Sequence, residues 1–278
     1  MKVADLIRRS KLPAYEVEFI LQELLSCPRH ELYQKEISPV THKSFCALEE
    51  KRLEGWPIQY LLGVAYFYGM KLKVVPGVFI PRPETEVLVE RVLNVLGEGK
   101  RQRILDVGSG SGNIALALAK ERKWEIDGLD ISSLAIAIGT ENREDLKQRG
   151  ELKGQVRFVL GDFSQIEMWS SSQGKYDAIV SNPPYVDFAT YDSLPEDVKR
   201  EPPIALFAGE SGLCFYRLIL SKAKLVLKQG GYLFLELPGE EEKTEKIKKL
   251  AKEFGLSNVE IYSDLTQRDR VLQARIGR

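Results

Sequence analysis

Seven short β-like runs punctuate the chain after Arg101, at residues 103–107, 125–130, 156–160, 177–181, 232–236, 258–262 and 270–274. Several are separated by stretches long enough for a crossover helix, which parallel pairing requires and a hairpin does not. The pattern predicts an α/β architecture: a seven-stranded, mostly parallel Rossmann-like sheet with helices on both faces. The last two runs are joined only by a loop, so the final strand is expected to run antiparallel.

The first 63 residues have a different texture. Leu6 and Ile7, then Val17, Ile20, Leu21, Leu24 and Leu25, recur at three- and four-residue spacings that build one apolar helix face. Pro13 and Pro28 sit where a first helical turn tolerates proline, with Ser26, Ser38 and Thr41 as cap or turn residues. From Ala65 to Ile80 the chain turns β-rich around Gly69 and Pro76-Gly77, which predicts a hairpin. Pro81-Arg82-Pro83 then stiffens the backbone ahead of a helix from about Glu84 to Leu96. The expected organisation is an all-helical domain at 1–63, a hairpin linker at 64–84 and an α/β domain at 85–278.

Composition narrows the partners. Lys plus Arg and Asp plus Glu number 40 each, so no net field steers the chain onto nucleic acid. Hydrophobic residues make up 44%, enough for sizeable cores. The N-terminus meets Asp5, Arg8 and Arg9 before any apolar run develops, and no stretch has the length of a membrane span. Cys27, Cys46 and Cys214 are scattered and odd in number, as in a reducing compartment. These features predict a cytoplasmic protein without membrane or direct nucleic-acid contact; a monomer is expected, although nothing in composition or spacing fixes the oligomeric state. Cys27, His30, His42 and Cys46 have a superficially zinc-like spacing. Their apolar and helix-junction surroundings favour a structural reading, and no metal is expected.

The sharpest local signal is Asp106-Val107-Gly108-Ser109-Gly110-Ser111-Gly112, after a strand and opening a helix. Glycines there let backbone approach a ligand where a Cβ would clash. A dinucleotide fingerprint would need glycine at 113, where this chain has Asn113. Asp106 is placed to accept a hydrogen bond from a ligand amine. Asp130, ending the second strand, stands where ribose hydroxyls are held in such sheets. Asp162 and Phe163, after the third, would supply a carboxylate for an adenine amino group and a ring for its face.

Asn182-Pro183-Pro184-Tyr185 follows the fourth strand. Its prolines fix φ and remove donors, so the carbonyls of Asn182 and Pro183 project rigidly beside the Asn182 side chain. Together they are suited to accept both N–H groups of a planar –NH₂ while Tyr185 stacks on its π face. An amide nitrogen is a poor nucleophile because its lone pair is delocalised. Two acceptors on its N–H groups would push electron density back and stabilise positive charge on nitrogen. With a methyl activated on a sulfonium, as in S-adenosylmethionine, no strong base is required. Asn182, Pro183 and Tyr185 are therefore the candidate catalytic residues.

With these residues in view the chain resembles the HemK/PrmC family, the protein-(glutamine N5) methyltransferases that act on peptide chain release factors. The resemblance runs through Pro57-Ile58-Gln59-Tyr60-Leu61-Leu62-Gly63, Phe79-Ile80-Pro81-Arg82-Pro83-Glu84-Thr85-Glu86, Asp106 to Gly112, Asp130 and Asn182 to Tyr185. It continues in Glu201-Pro202, Ala205-Leu206 and Gly209. The Pro-Arg-Pro-Glu-Thr-Glu segment is the most specific of these.

The resemblance implies a class I methyltransferase fold, a helical domain that helps seat the release factor, and the glutamine of a Gly-Gly-Gln loop as acceptor. It implies that Gly108, Ser109, Gly110, Ser111 and Gly112, with Asp130, Phe163 and Asn182, contact S-adenosyl-L-methionine. Asn182, Pro183, Pro184 and Tyr185 would hold the glutamine, with Arg82 among the substrate-binding residues. Two positions depart from the family pattern: Phe163 stands where Trp is more usual, and Pro238 stands where Gly is expected.

Three rival functions share parts of this evidence. A ribosomal-protein glutamine methyltransferase would carry nearly every motif. A DNA adenine-N6 methyltransferase would offer the same –NH₂ to the same turn, but residues 1–76 hold 11 basic and 9 acidic side chains, too balanced for a recognition domain that must extrude a base. A non-catalytic binding protein would not need the glycine loop and the Asn-Pro-Pro-Tyr turn together.

Overall fold

A computed structural model describes residues 1–167 and 175–277, which gather into two compact units. The first comprises 1–64 and 194–200, the second 65–193 and 201–278.

The first unit is built from α1 (Val3–Arg9), α2 (Ala14–Leu25), α3 (Arg29–Leu32), α4 (Pro39–Leu53) and α5 (Ile58–Leu62). Pro13 and Pro28 are the cap residues of α2 and α3, Ser38 caps α4 by accepting from the Thr41 N–H, and Ser26 closes α2 in the left-handed conformation. The predicted apolar stripe supplies Leu6, Val17, Ile20 and Leu21 to a core completed by Leu32 and Phe45. Cys27 joins that core, whereas the His30 side chain is 81% exposed. Among the described residues no three His, Cys, Asp or Glu side chains gather as a metal site. The Arg52 guanidinium makes a two-pronged pair with buried Glu16, at 3.0 and 2.9 Å, and reaches Asp197 at 3.2 Å.

The second unit opens with a hairpin, β1 (Val64–Phe67) and β2 (Met70–Lys73), turned by Tyr68 and Gly69 with φ of 50° and 67°. Two positive φ values suit the right-handed twist of a tight hairpin. Phe67, Met70 and Leu72 pack into the core of the α/β unit, so the hairpin is part of that unit. There follow α6 (Thr85–Leu96), β3 (Arg103–Val107), α7 (Asn113–Glu121), β4 (Glu125–Asp130), α8 (Ser133–Gln148), β5 (Gln155–Leu160) and β6 (Tyr176–Ser181). Short helices α9 (Phe188–Tyr191) and α11 (Pro203–Leu206) flank α10 (Glu196–Lys199), which belongs to the first unit, and precede α12 (Cys214–Val226), β7 (Leu227–Glu236), α13 (Glu241–Glu253), β8 (Leu256–Ser263) and β9 (Asp269–Ile276).

The seven-stranded sheet has the order β5-β4-β3-β6-β7-β9-β8. β9 slots between β7 and β8 and is antiparallel to both, as the short final connection predicts. Successive residues alternate between two cores. Leu105, Ile179, Leu233 and Leu235 face α12 and α13, while Ile104, Ala178, Val180 and Phe234 face α6 and α7.

Tight backbone packing appears where β4 meets β5. A Cβ on Gly128 would lie 2.6 Å from the Phe158 ring and 3.0 Å from Ser109 Cβ. Gly128→Ala is therefore expected to lower unfolding free energy by about 1–3 kcal/mol. Combining it with Phe158→Leu should recover part of the loss. Urea denaturation of the two single variants and the double variant checks this, and unchanged stability in Gly128→Ala would remove the constraint.

Candidate active site

The carboxyl ends of the parallel strands β5, β4, β3, β6 and β7 share one edge of the sheet. In open α/β sheets ligands lie at that edge, where the chain order reverses, here between β3 and β6. Asp106, Asp130, Asp162, Asn182 and Glu236 all stand on it.

The loop after β3 is shaped from both sides. The Leu129 carbonyl accepts from the N–H groups of Gly108 and Ser109, at 2.8 and 3.1 Å. Asp130 Oδ2 accepts from Gly110 N at 2.8 Å, and its Oδ1 accepts from Ser132 N at 2.8 Å. Burial pushes the Asp130 carboxyl upward against the pull of the Ser132, Gly110 and Ile131 N–H groups. Gly108, Gly110 and Gly112 all have positive φ. They serve different ends. A Cβ on Gly108 or Gly110 would meet nothing within 4 Å, whereas one on Gly112 would come within 2.5 Å of Phe158. The first two border open space; the third is required by packing.

Asp106 is fully buried. Its Oδ2 accepts from Ala115 N in the first turn of α7, at 3.2 Å, and its Oδ1 has no partner. Burial, opposed by that N–H and reinforced by the nearby Asp130 charge, pushes its carboxyl up to about 8. The hydroxyls of Ser109 and Ser111 are likewise buried and without partners. Unsatisfied polar atoms beside open backbone are what a bound polar ligand would complete.

Asp162 and Phe163 are placed less centrally. Asp162 is exposed and accepts from Ser164 N at 2.7 Å, capping the 3₁₀ turn Phe163–Gln165, and hydrogen bonding from Ser164 holds its carboxyl low. Phe163 is only 6% exposed and belongs to the core with Leu105, Leu129 and Ile166.

The Asn182–Tyr185 turn is anchored from several directions. Ser181 donates to the Val107 carbonyl at 2.6 Å, joining the ends of β6 and β3. Asn182 Nδ2 donates to Thr85 Oγ1 at 3.1 Å. Val186 pairs with Phe207, donating to the Leu206 carbonyl at 2.9 Å. Burial pushes the Tyr185 phenol up to about 12, with the Glu236 charge adding to the rise, so the ring stays neutral.

The Pro-Arg-Pro-Glu-Thr-Glu segment reveals itself as a set of anchors. Arg82 pairs with buried Glu201, whose other oxygen accepts from Ile80 N at 3.0 Å, and its guanidinium lies over Phe79. Glu86 accepts from Tyr68 N at 2.7 Å. Thr85 meets Asn182. Pro238, where glycine was expected, is followed by Gly239 with φ of 80°, so the left-handed turn falls one residue later.

Three polar residues here were given no role from sequence: Thr85, quoted only as part of the Pro-Arg-Pro-Glu-Thr-Glu segment, Glu236 and Asn142. Glu236 ends the apolar run Tyr232-Leu233-Phe234-Leu235, a signal that was visible. Asn142 sits within α8 without any motif to mark it.

The fold, the glycine loop with its carboxylates and the Asn-Pro-Pro-Tyr turn define a class I S-adenosylmethionine-dependent methyltransferase. Residues 98–273 match the "Methyltransferase domain" family model, and residues 3–63 match the "PrmC N-terminal domain" model. A release factor glutamine methyltransferase of Coxiella burnetii is 37% identical over 96% of this chain and 94% of its own length. Another, of Thermodesulfovibrio yellowstonii, is 35% identical over 98% and 95%. The chain belongs to the release factor glutamine methyltransferase family. A methyltransferase structure from Pyrococcus furiosus, 17% identical with a TM-score of 0.52 over 83% of this chain and 98% of that one, shares the fold.

Asn142 ties the glycine loop to the hairpin. Its Nδ2 donates to the carbonyls of Ser111 (2.9 Å) and Lys73 (3.1 Å), and its Oδ1 accepts from Lys73 N at 2.7 Å. Asn142→Ala would leave these groups unpaired and should cost at least about 1–3 kcal/mol of stability. Chemical denaturation measures it, and a neutral substitution would show that water replaces the side chain.

Proposed function

We propose that this chain transfers the methyl of S-adenosylmethionine to the side-chain amide nitrogen of the glutamine in the Gly-Gly-Gln loop of peptide chain release factors. The observation that carries the chemistry is the orientation of Asn182. Its Nδ2 is committed to Thr85, which leaves Oδ1 as the atom it can offer to a substrate N–H. The Pro183 carbonyl is the second acceptor, and Tyr185, a neutral phenol, contributes its ring and not a base.

S-adenosylmethionine supplies, when bound, a sulfonium methyl whose leaving group is a neutral thioether. As the new C–N bond forms, the amide nitrogen gains positive charge and becomes acidic, so its proton passes to water without a dedicated base. The acceptors at Asn182 and Pro183 stabilise that charge while it develops. Gly108 and Gly110, with the Asp130 carboxylate, would hold the cofactor. Asp106 Oδ1 would take its ammonium. Phe163, buried in the core, would offer the cofactor little of its ring. Arg82 acts on substrate by shaping the segment that carries Thr85.

The helical domain, 1–63, would seat the release factor. Support comes from the family-model match at 3–63 and from its exposed apolar side chains Tyr15, Tyr33, Val40 and Leu53. On this reading the enzyme is a cytoplasmic monomer working on a protein, without nucleic acid or membrane. No helix among the described residues is long and apolar enough to cross a membrane.

Labelled methyl transfer, with release factor, its Gln→Ala variant and duplex DNA as parallel acceptors, tests the proposal. Label is expected on the intact factor alone, and label on DNA would overturn the substrate. Asn182→Ala should lose about 10²–10³-fold in kcat, and a variant with wild-type turnover would remove the acceptor role.

The Asp106 assignment has its own pH signature. A carboxyl held near 8 is mostly protonated at neutral pH and must lose its proton to pair with a cation. Cofactor affinity should therefore rise from about pH 6 to about 7.5, below the range where the ligand's own α-amine deprotonates. Calorimetry should show protons released on binding, and Asp106→Asn should flatten the rise. A flat wild-type profile would place the ammonium elsewhere.

A further inference from the structure

Glu236 ends β7 and is 2% exposed, with its Oε2 lacking any hydrogen-bond partner. The cations nearest in effect are already engaged: Arg270 of β9 with Asp264 at 2.8 Å, and Arg82 with Glu201. Glu84 adds repulsion, while the Thr85 hydroxyl favours the charged form. Tyr185 lies within its field, and the Tyr216 hydroxyl goes to the Glu236 backbone carbonyl and leaves the carboxylate alone. Desolvation prevails, and the carboxyl is pushed up to about 7. An acid so placed is costly to bury, and glutamine would fill the same space without that cost.

We propose that Glu236 is a positioning residue for methyl transfer: through the Thr85 hydroxyl it sets which way round the Asn182 amide faces. The proposal rests on the acceptor role of Asn182 given above. An asparagine side chain carries one acceptor and two donors, and only the acceptor can receive a substrate N–H. Thr85 Oγ1 accepts from Asn182 Nδ2 at 3.1 Å, so the threonine proton must point elsewhere. An ionised carboxylate accepts and never donates, and Glu236 supplies one beside that hydroxyl. The polarity then runs one way, from Asn182 N–H to the Thr85 oxygen and from the Thr85 O–H to Glu236. Protonating Glu236 frees the Thr85 proton to donate to Asn182 Oδ1, and the inverted amide would meet the substrate with N–H against N–H.

The test is kcat and KM for release-factor methylation from pH 6 to 9 in wild type, Glu236→Gln, Thr85→Val and Thr85→Ser, with cofactor affinity and melting temperature. Glu236→Gln and Thr85→Val should lose about 10- to 100-fold in kcat, with cofactor affinity within about twofold of wild type. Thr85→Ser, which keeps the hydroxyl, should recover most of that rate. Wild-type kcat should climb with pH through the range where Glu236 ionises, and Glu236→Gln should lack that limb. At pH 8 Glu236→Gln should melt no lower than wild type, because it removes an uncompensated buried charge. Wild-type kcat and an unchanged pH profile in Glu236→Gln would overturn the proposal, as would a loss confined to KM. If Glu236→Gln fails to fold, full turnover in Thr85→Val overturns it instead. An inactive wild type would fail the functional reading itself and this proposal with it, marked by silence in every variant.

Discussion

The approach of the Phe158 ring to three glycines governs where the site can be. Gly112, Gly128 and Gly139 come from the β3 loop, from β4 and from α8, and a Cβ on any of them would come within 3.1 Å of that one ring. Because no side chain intervenes, the loop after β3 lies directly on its neighbours. Its amides then reach the Leu129 carbonyl and Asp130, and its free edge at Gly108 and Gly110 is left bare. The geometry of the loop after β3 is thus set by hydrocarbon packing as well as by its polar contacts.

The Asn182–Tyr185 turn depends on polarity. Ser181 links β6 to β3, Thr85 receives Asn182, and Glu201 gathers both Arg82 and the Ile80 amide. These contacts join residues 74 to 121 positions apart, so segments from across the chain converge around the turn. The acceptors proposed at Asn182 and Pro183 would need little rearrangement as charge develops.

How much was legible beforehand follows from what leaves a local trace. Strands with apolar alternation were readable, as was the short β8–β9 connection that makes the last strand antiparallel. The glycine loop and the Asn-Pro-Pro-Tyr turn were readable because φ requirements restrict residue type. The insertion of β9 between β7 and β8 was not, since no local signal says which edge a hairpin adds to. Phe163 read as a ligand-facing ring and lies in the core, because an aromatic after a strand suits either environment. Arg82 read as a substrate contact and pairs with Glu201, 119 residues away. Asn142 and Thr85 act through contacts at long separation, which composition and spacing do not record.

The Arg52 cluster bears on how separable the helical part is. The chain leaves the α/β unit after Ser193, lends the seven residues Leu194–Arg200 to the helical unit and returns at Glu201. Within the helical unit Asp197 adds a second carboxylate to Arg52, and Arg200 donates to the Glu54 carbonyl and lies over Trp56. The helical unit is therefore discontinuous in sequence, completed by a segment translated more than a hundred residues after its last helix. During synthesis the contacts of Asp197 with Arg52, and of Arg200 with Glu54 and Trp56, form only after that segment has been made. A recombination point near residue 64 would separate the helical unit from those contacts, which are encoded on the far side of the Asn-Pro-Pro-Tyr turn.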